Sequence, residues 1–320
     1  MRIFHDPALQ FLIGGVVCVL IVATIVGQIL KRQISSEKGR QTIANMNARI
    51  TAWWVMCIVF GFALLTGGIG SYLLFTLLSF LALREFVTLV PTSRWDHRAL
   101  FWTFFVVTPL QYLLIGMKWY GMFTIMIPVY AFLFITARIV LSGATDRFLE
   151  RAASIQWALM TCVYCLSYAP ALLTVDLPHF ENQGAKLLLF LVIVVQSSDV
   201  CQYICGKLFG KHRIAPSVSP NKTWEGFIGG GLVAVLIGTA IFWSTPFGPL
   251  GAAFMASVIV VMGFIGGLVM SAIKRDKGVK DFGTMIRGHG GVLDRMDSLM
   301  FAAPVFFHFA RFFFGGMNIG

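Results

Sequence analysis

The sequence predicts an all-α fold, a polytopic integral membrane protein of about ten transmembrane helices, and three observations carry that prediction. Of its 320 residues, 58% are hydrophobic and only 12% are charged, with a mean hydropathy of +0.81. Soluble domains have about half apolar and a quarter charged residues, so the chain falls outside that class. Apolar runs near the roughly 20 residues that a spanning helix requires recur from end to end. Between them Lys and Arg gather in alternate loops.

The expected spans are 8–30, 51–69, 71–90, 99–117, 119–138, 155–175, 186–205, 224–243, 249–272 and 298–315. The first, ALQFLIGGVVCVLIVATIVGQIL, is too long for a signal-peptide core and reads as a retained helix. Lys and Arg number five in 31–50, two in 91–98, three in 138–154, four in 206–223 and six in 273–297. The intervening loops hold Arg2, Lys118 and Lys186, while Arg84 and Arg311 lie within spans. The positive-inside rule therefore predicts that all five basic loops are cytoplasmic and both termini are outside. No long soluble stretch remains. The chain divides into lipid-facing and packing helices over 1–185 and a polar-looped region over 186–320.

The formal net charge of +11 is confined to short loops between apolar runs, where lipid headgroups and phosphates lie, so nucleic acid is not expected as a partner. Cys162 and Cys165 form a C-x-x-C inside an apolar run without a second Cys or His pair, which reads as helix packing rather than a metal site. Gly226/Gly230 and Gly263/Gly267 are small-residue spacings that let membrane helices approach closely.

Two loops on the predicted cytoplasmic side are unlike the rest. The segment 271–298 supplies Lys274, Arg275, Lys277, Lys280, Arg287 and Arg295 together with Asp276, Asp281, Asp294 and Asp297. Carboxylates among cations are suited to holding Mg²⁺ and a polyphosphate together, because Mg²⁺ bridges one or two carboxylates and substrate phosphates. Asp294 and Asp297, spaced i, i+3 at the start of a helix, would share a face and address one metal. Gly288-His289-Gly290-Gly291 can bring backbone N–H groups close to an anion. The alternative is a solvated loop whose charges only set topology.

The segment 206–226 adds Lys207, Lys211, Lys222 and the run Ser219-Pro220-Asn221-Lys222-Thr223. Ser before Pro suits the N-cap and N1 positions, so the eighth helix is expected to start there with its N–H groups aimed at a phosphate and Lys222 beside them. A capped helix with a snorkelling lysine is the plainer alternative. Asp199, within the seventh span, is an ionisable group at depth and hence a functional candidate. It shares a face with Gln202 or Tyr203 and with Gly206. Arg84 and Glu85 in the third span are expected to be structural.

The stretch SAIKRDKGVKDFGTMIRGHGGVLDRMD, Ser271 to Asp297, resembles the signature of the phosphatidate cytidylyltransferases (CDP-diacylglycerol synthases). The upstream Asp199, GKLFGKH and SPNKTWEG are similar to this family as well. The resemblance implies CTP and phosphatidic acid as substrates, CDP-diacylglycerol and pyrophosphate as products, Mg²⁺ as the metal, a homodimer, and an inner-membrane location with the active site on the cytoplasmic side. On that basis Asp294 and Asp297 are assigned to the metal. Lys274, Arg275, Lys280, Asp281, His289 and Arg295 are assigned to the catalytic centre. Ser219, Lys222, Thr223, Ser271, Gly290, Gly291 and Asp199 are assigned to substrate.

One departure stands out. The family commonly carries G-D-L four residues ahead of the motif serine, whereas this chain reads Gly266-Gly267-Leu268, and Met270 stands where many members carry Glu. Loss of that carboxylate is expected to weaken metal binding, with Asp199 or Asp281 the candidates to substitute for it. An enzyme acting on another lipid phosphate, a catalytically impaired homologue and a transporter are the competing readings. A transporter would place polar residues near the midplane in paired broken helices, and here they gather at one face.

Overall fold

The protein is described by a computed structural model over residues 6–33, 36–286 and 290–315. Ten helical segments follow one another: α1 (Pro7–Gln33), α2 (Glu37–Leu65), α3 (Gly67–Val87), α4 (Arg94–Gly116), α5 (Tyr120–Val140), α6 (Phe148–Thr174), α7 (Gly184–Phe209), α8 (Trp224–Ala240), α9 (Pro249–Asp276) and α10 (Leu293–Phe314). Among the described residues, eight of these are long and apolar enough to cross a membrane. The other two are α8, only 17 residues long, and α10, whose first turns carry Asp294, Arg295 and Asp297. The all-α polytopic expectation holds.

Two boundaries differ from the sequence reading. The second helix was expected from residue 51 and begins at Glu37, so most of the basic 31–50 stretch is helix rather than loop. The cause is local: the Ser36 hydroxyl accepts from the Gly39 amide at 3.2 Å, and Glu37 sits in the first turn, a favourable place for negative charge. The segment then packs on α1, where the Trp54 indole donates to Thr24 Oγ1 at 3.0 Å. The second difference is a short antiparallel hairpin of β1 (Arg213–Ala215) and β2 (Ser219–Thr223) ahead of α8.

The helices α4, α5 and α6 each contain a π-helical stretch, at Thr103–Val107, Met126–Ala131 and Leu159–Cys165. Cys162 and Cys165 fall in the last of these, and both are free thiols. A buried ion pair joins the starts of two helices: Arg151 donates to both oxygens of Asp96, at 2.6 and 2.9 Å. Both partners are almost wholly buried, so breaking one side would strand a charge, a change that costs about 3–5 kcal/mol.

The carboxy-terminal helices form the tightest part of the bundle. The α7 and α8 backbones nearly touch, because a Cβ on Gly226 would lie 2.9 Å from the Gln202 carbonyl oxygen and one on Gly230 would collide with the Gln202 backbone. Phe190 of α7, Phe306 of α10 and Phe247 fill the centre, with Phe190 and Phe306 stacked at 5.8 Å. This rigid block carries α7, α9 and α10 to one end of the bundle, where the polar loops lie.

Candidate active site

The two polar loops meet. Arg275, in the last turn of α9, donates from Nε to the Val218 carbonyl in the β-hairpin at 3.2 Å. Lys222, at the end of β2, reaches back to α9 and donates to the Phe264 carbonyl at 3.4 Å, its ammonium 4.6 Å from the centre of the Phe264 ring. The chain can leave α9 sharply because Gly278 adopts φ +68, a left-handed turn that favours glycine.

Between the loop that follows α9 and the helices α2 and α7 lies a cavity of about 710 Å³. Asp199 and Gln196 of α7, Lys280, Asp281 and Gly290 of the loop, and Arg295 of α10 contribute to its walls. Cations and carboxylates thus face one space large enough for a nucleotide-sized ligand. Behind it stands a second charged group. Ser298 of α10 donates from its hydroxyl to Asp199 at 3.0 Å and from its amide to Asp297 at 2.8 Å, linking the two acids. Lys222 interacts electrostatically with both, while burial holds its ammonium below the ordinary lysine value.

The position of Lys222 depends on what is missing from α9. A Cβ on Gly267 would stand 2.6 Å from Lys222 Nζ. The lysine ammonium therefore fills space that a side chain at position 267 would claim.

Several assigned residues are engaged in contacts within the protein. Asp294, expected at a metal, is buried with both oxygens engaged: Oδ1 accepts from Lys274 Nζ at 2.8 Å, and Oδ2 from the amides of Phe282 at 2.8 Å and Gly291 at 2.9 Å. It is the anchor of the loop, because three donors converge on it. Lys274 is consumed in that pair and lies over the Phe282 ring. Arg275 ties backbone carbonyls at Val218 and Val279. Ser271 donates to the Gly267 carbonyl of its own helix at 2.6 Å.

The expected Ser219 cap is also corrected. Ser219 lies in β2, and the helix is capped instead by Thr223, whose hydroxyl accepts from the Gly226 amide at 3.2 Å. Strand pairing with β1 holds 219–223 extended, so the helix cannot start earlier. His289, with Arg287 and Gly288, lies outside the described residues.

Gly290 takes φ +82 and pairs with Ile286, and a Cβ there would approach Asp294 Oδ2 to 2.7 Å. Gly291 is pressed against Glu85.

Sequence reasoning singled out Glu85 only as structural and did not single out Arg49, Trp53 or Gln196. Glu85 of α3 is buried and accepts from the amides of Val292 at 3.0 Å and Leu293 at 2.9 Å. It caps the positive end of α10, the place where a carboxylate is most stabilising, and so holds the loop against the amino-terminal half of the bundle. Arg49 and Trp53 line the cavity from α2; Trp53 lies in the expected span, whereas Arg49 is on the helix because α2 starts at Glu37. Gln196 had a signal, the polar Gln196-Ser-Ser-Asp199 step in an apolar run. Of the alternatives Gln202 and Tyr203, Tyr203 joins Asp199 at the cavity, while Gln202 bonds Ser198 and abuts α8.

A metal has a restricted place here. Among the described residues no cluster of three or more His, Cys, Asp or Glu could hold an ion. The Asp199–Asp297 pair nevertheless suits the mode in which one or two carboxylates share Mg²⁺ with substrate phosphates.

A membrane bundle that holds a mixed-charge cavity beside its polar loops defines a class of membrane enzyme, and comparison with known proteins specifies it. The profile of the cytidylyltransferase family matches residues 47–313, and the chain belongs to that family. It is 39% identical to the uncharacterized protein YnbB of Escherichia coli K12 over 297 residues, covering 92% of this chain and 95% of that protein. It is 41% identical to the phosphatidate cytidylyltransferase of Mycobacterium leprae over 130 residues, 39% of this chain and 41% of that one. With the Aquifex aeolicus phosphatidate cytidylyltransferase it shares 39% over 143 residues, 44% of this chain and 54% of that one. The alignments with these two named enzymes thus span about half of their length.

Proposed function

We propose that this protein transfers a cytidylyl group from CTP to phosphatidic acid, giving CDP-diacylglycerol and pyrophosphate, at the cytoplasmic face of the inner membrane. The observation that carries the reading is a cavity lined by Asp199, Lys280, Asp281 and Arg295, beside which the hairpin docks on α9 through Arg275 and Lys222. Family membership supports the nucleotide, and the relatives named phosphatidate cytidylyltransferase support the lipid. Charge asymmetry of the loops supports the cytoplasmic side, and family resemblance alone supports a homodimer.

In this reading an oxygen of the lipid phosphate attacks the α-phosphorus of CTP. The bond from that phosphorus to the bridging oxygen breaks, and pyrophosphate leaves with the electron pair. The attacking phosphate is already anionic, so the site needs orientation and charge stabilisation more than a strong base. Arg295 and Lys280 neutralise phosphate oxygens from the cavity wall, and Lys222 balances Asp199 and Asp297 from behind. Mg²⁺, held by Asp297 with Asp199, would supply further neutralisation of the triphosphate. Asp294, Lys274, Arg275 and Glu85 act by holding the loop in place.

A second reading, a catalytically impaired homologue, is favoured by one observation: Lys222 Nζ stands where a side chain at Gly267 would project. An enzyme for another lipid phosphate is the remaining alternative. Purified protein incubated with CTP, Mg²⁺ and a panel of lipid phosphates separates the three. Pyrophosphate release with phosphatidic acid is expected; release only with another lipid phosphate would change the substrate, and none with any would favour the impaired homologue.

A further inference from the structure

A second cavity, of about 230 Å³, opens beside the first and differs from it in kind. It runs between α2 and α3 against α10, with Met56 and Phe60 on one side, Leu78 on the other and Met296 and Leu299 at the back. Its polar members, Gln196 and Arg295, sit where it joins the large cavity, since both residues line the two spaces, as do Trp53 and Ile286. At its rim Val55 and Val59 of α2 are exposed to the surroundings at 57% and 46%, so the groove has a lateral mouth on the apolar face of the bundle.

Arg295 marks the junction. Its Nε is buried and has no hydrogen-bond partner, an uncommon state for a charged donor because leaving it unpaired is costly. A guanidinium offers a planar fork of donors that matches phosphate geometry. A donor without a partner, placed where a polar chamber meets an apolar one, suits a ligand with a phosphate at one end and hydrocarbon beyond it.

We infer that this groove between α2, α3 and α10 holds an acyl chain of the lipid phosphate, with the phosphate on Arg295 and the nucleotide in the larger cavity. The inference rests on the proposed reaction for its nucleotide arm, but the groove and its occupant are tested separately. The lipid enters sideways past Val55 and Val59, and its headgroup passes Trp53 and Gln196 to reach the cavity. Acyl selectivity then resides in α2 and α3 rather than in the loops.

The test has two arms. In the first, phosphatidic acid bearing a diazirine on its acyl chain is photolysed with the detergent-solubilised protein and the labelled peptides are mapped. Label concentrated on residues 53–60, 74–78 and 292–299 is expected, together with its loss when diacylglycerol carrying the same diazirine replaces the lipid phosphate. Label spread over other outward faces, or equal with both lipids, would overturn the inference. In the second, Leu78→Trp and the milder Met56→Phe fill the groove, and turnover is measured with long-chain and short-chain phosphatidic acid. Excluding about two methylenes should raise the KM for the long-chain lipid about tenfold, leaving the KM for CTP and the short-chain reaction unchanged. An equal effect on both lipids, or no effect from either variant, would overturn it. Labelled groove residues in a protein that releases no pyrophosphate would instead overturn the proposed reaction and leave the groove assignment standing.

Discussion

The ammonium of Lys222 and the bare α-carbon of Gly267 are neighbours: a Cβ at 267 would lie 2.6 Å from Lys222 Nζ. The hairpin and α9 are thereby fitted to each other, one supplying a cation and the other the room for it. Because the crowded atom is the tip of a flexible side chain, a substitution at 267 displaces the lysine without breaking the helix. Gly267→Ala should therefore fold normally and lose several-fold in turnover. Gly267→Asp should place a carboxylate beside Lys222 and Ser298 and lower the Mg²⁺ concentration for half-maximal activity about tenfold. Mg²⁺ titrations of both variants check this, and identical curves would show that position 267 does not bear on the metal.

Lys222 also sets an alkaline limit. Burial lowers its pKa, with Asp297 and Asp199 opposing the shift, so the charged form is lost at a lower pH than for a free lysine, which titrates at about 10.4. Activity should fall on the alkaline side before that value is reached. Lys222→Arg, whose guanidinium keeps its charge, should move that limb upward. A pH–rate profile that does not respond to the exchange would remove Lys222 from the reaction.

Glu85 should behave as a clamp. Glu85→Gln keeps one acceptor for the Val292 and Leu293 amides but removes the charge at the start of α10, a loss of about 2 kcal/mol for charge-assisted bonds in a buried setting. Thermal unfolding should show lower stability, and turnover should drop with little change in the KM for CTP. Unchanged unfolding would mean that the clamp is not holding the loop.

Asp294 and Asp297 should separate. Asp294 anchors Lys274 and two amides, so Asp294→Asn should reduce both stability and turnover. Asp297 bonds only the Ser298 amide among the described contacts, so Asp297→Asn should keep its unfolding temperature and raise the Mg²⁺ requirement. The reverse pattern would restore Asp294 to the metal.

The helices were legible because each spanning run is apolar along its whole length, a signal that needs no tertiary information. The site was legible in its residue types, since two loops stand out as dense in Lys, Arg, Gly and short polar residues. Its geometry was less so. Asp294 and Asp297 share a helix face by spacing alone, and nothing in that spacing reveals that the Phe282 and Gly291 amides converge on one and not the other. Ser219-Pro220 reads as a helix start until strand pairing holds it extended. Arg49 reads as topology charge until the Ser36 cap extends α2 beneath it. Glu85 is separated by over 200 positions from the amides it binds, and no local pattern announces such a contact.

Equilibrium binding of CTP with Mg²⁺ to the intact protein probes the shared site most directly. Lys222→Met from the hairpin side, which unbalances Asp199 and Asp297, and Lys280→Met from the other loop, which removes a cation from the cavity wall, should each weaken binding about tenfold or more, as expected when a charge-assisted interaction is lost. If either change left CTP affinity untouched while the other reduced it, the two loops would not be serving one nucleotide, and the account would be contradicted.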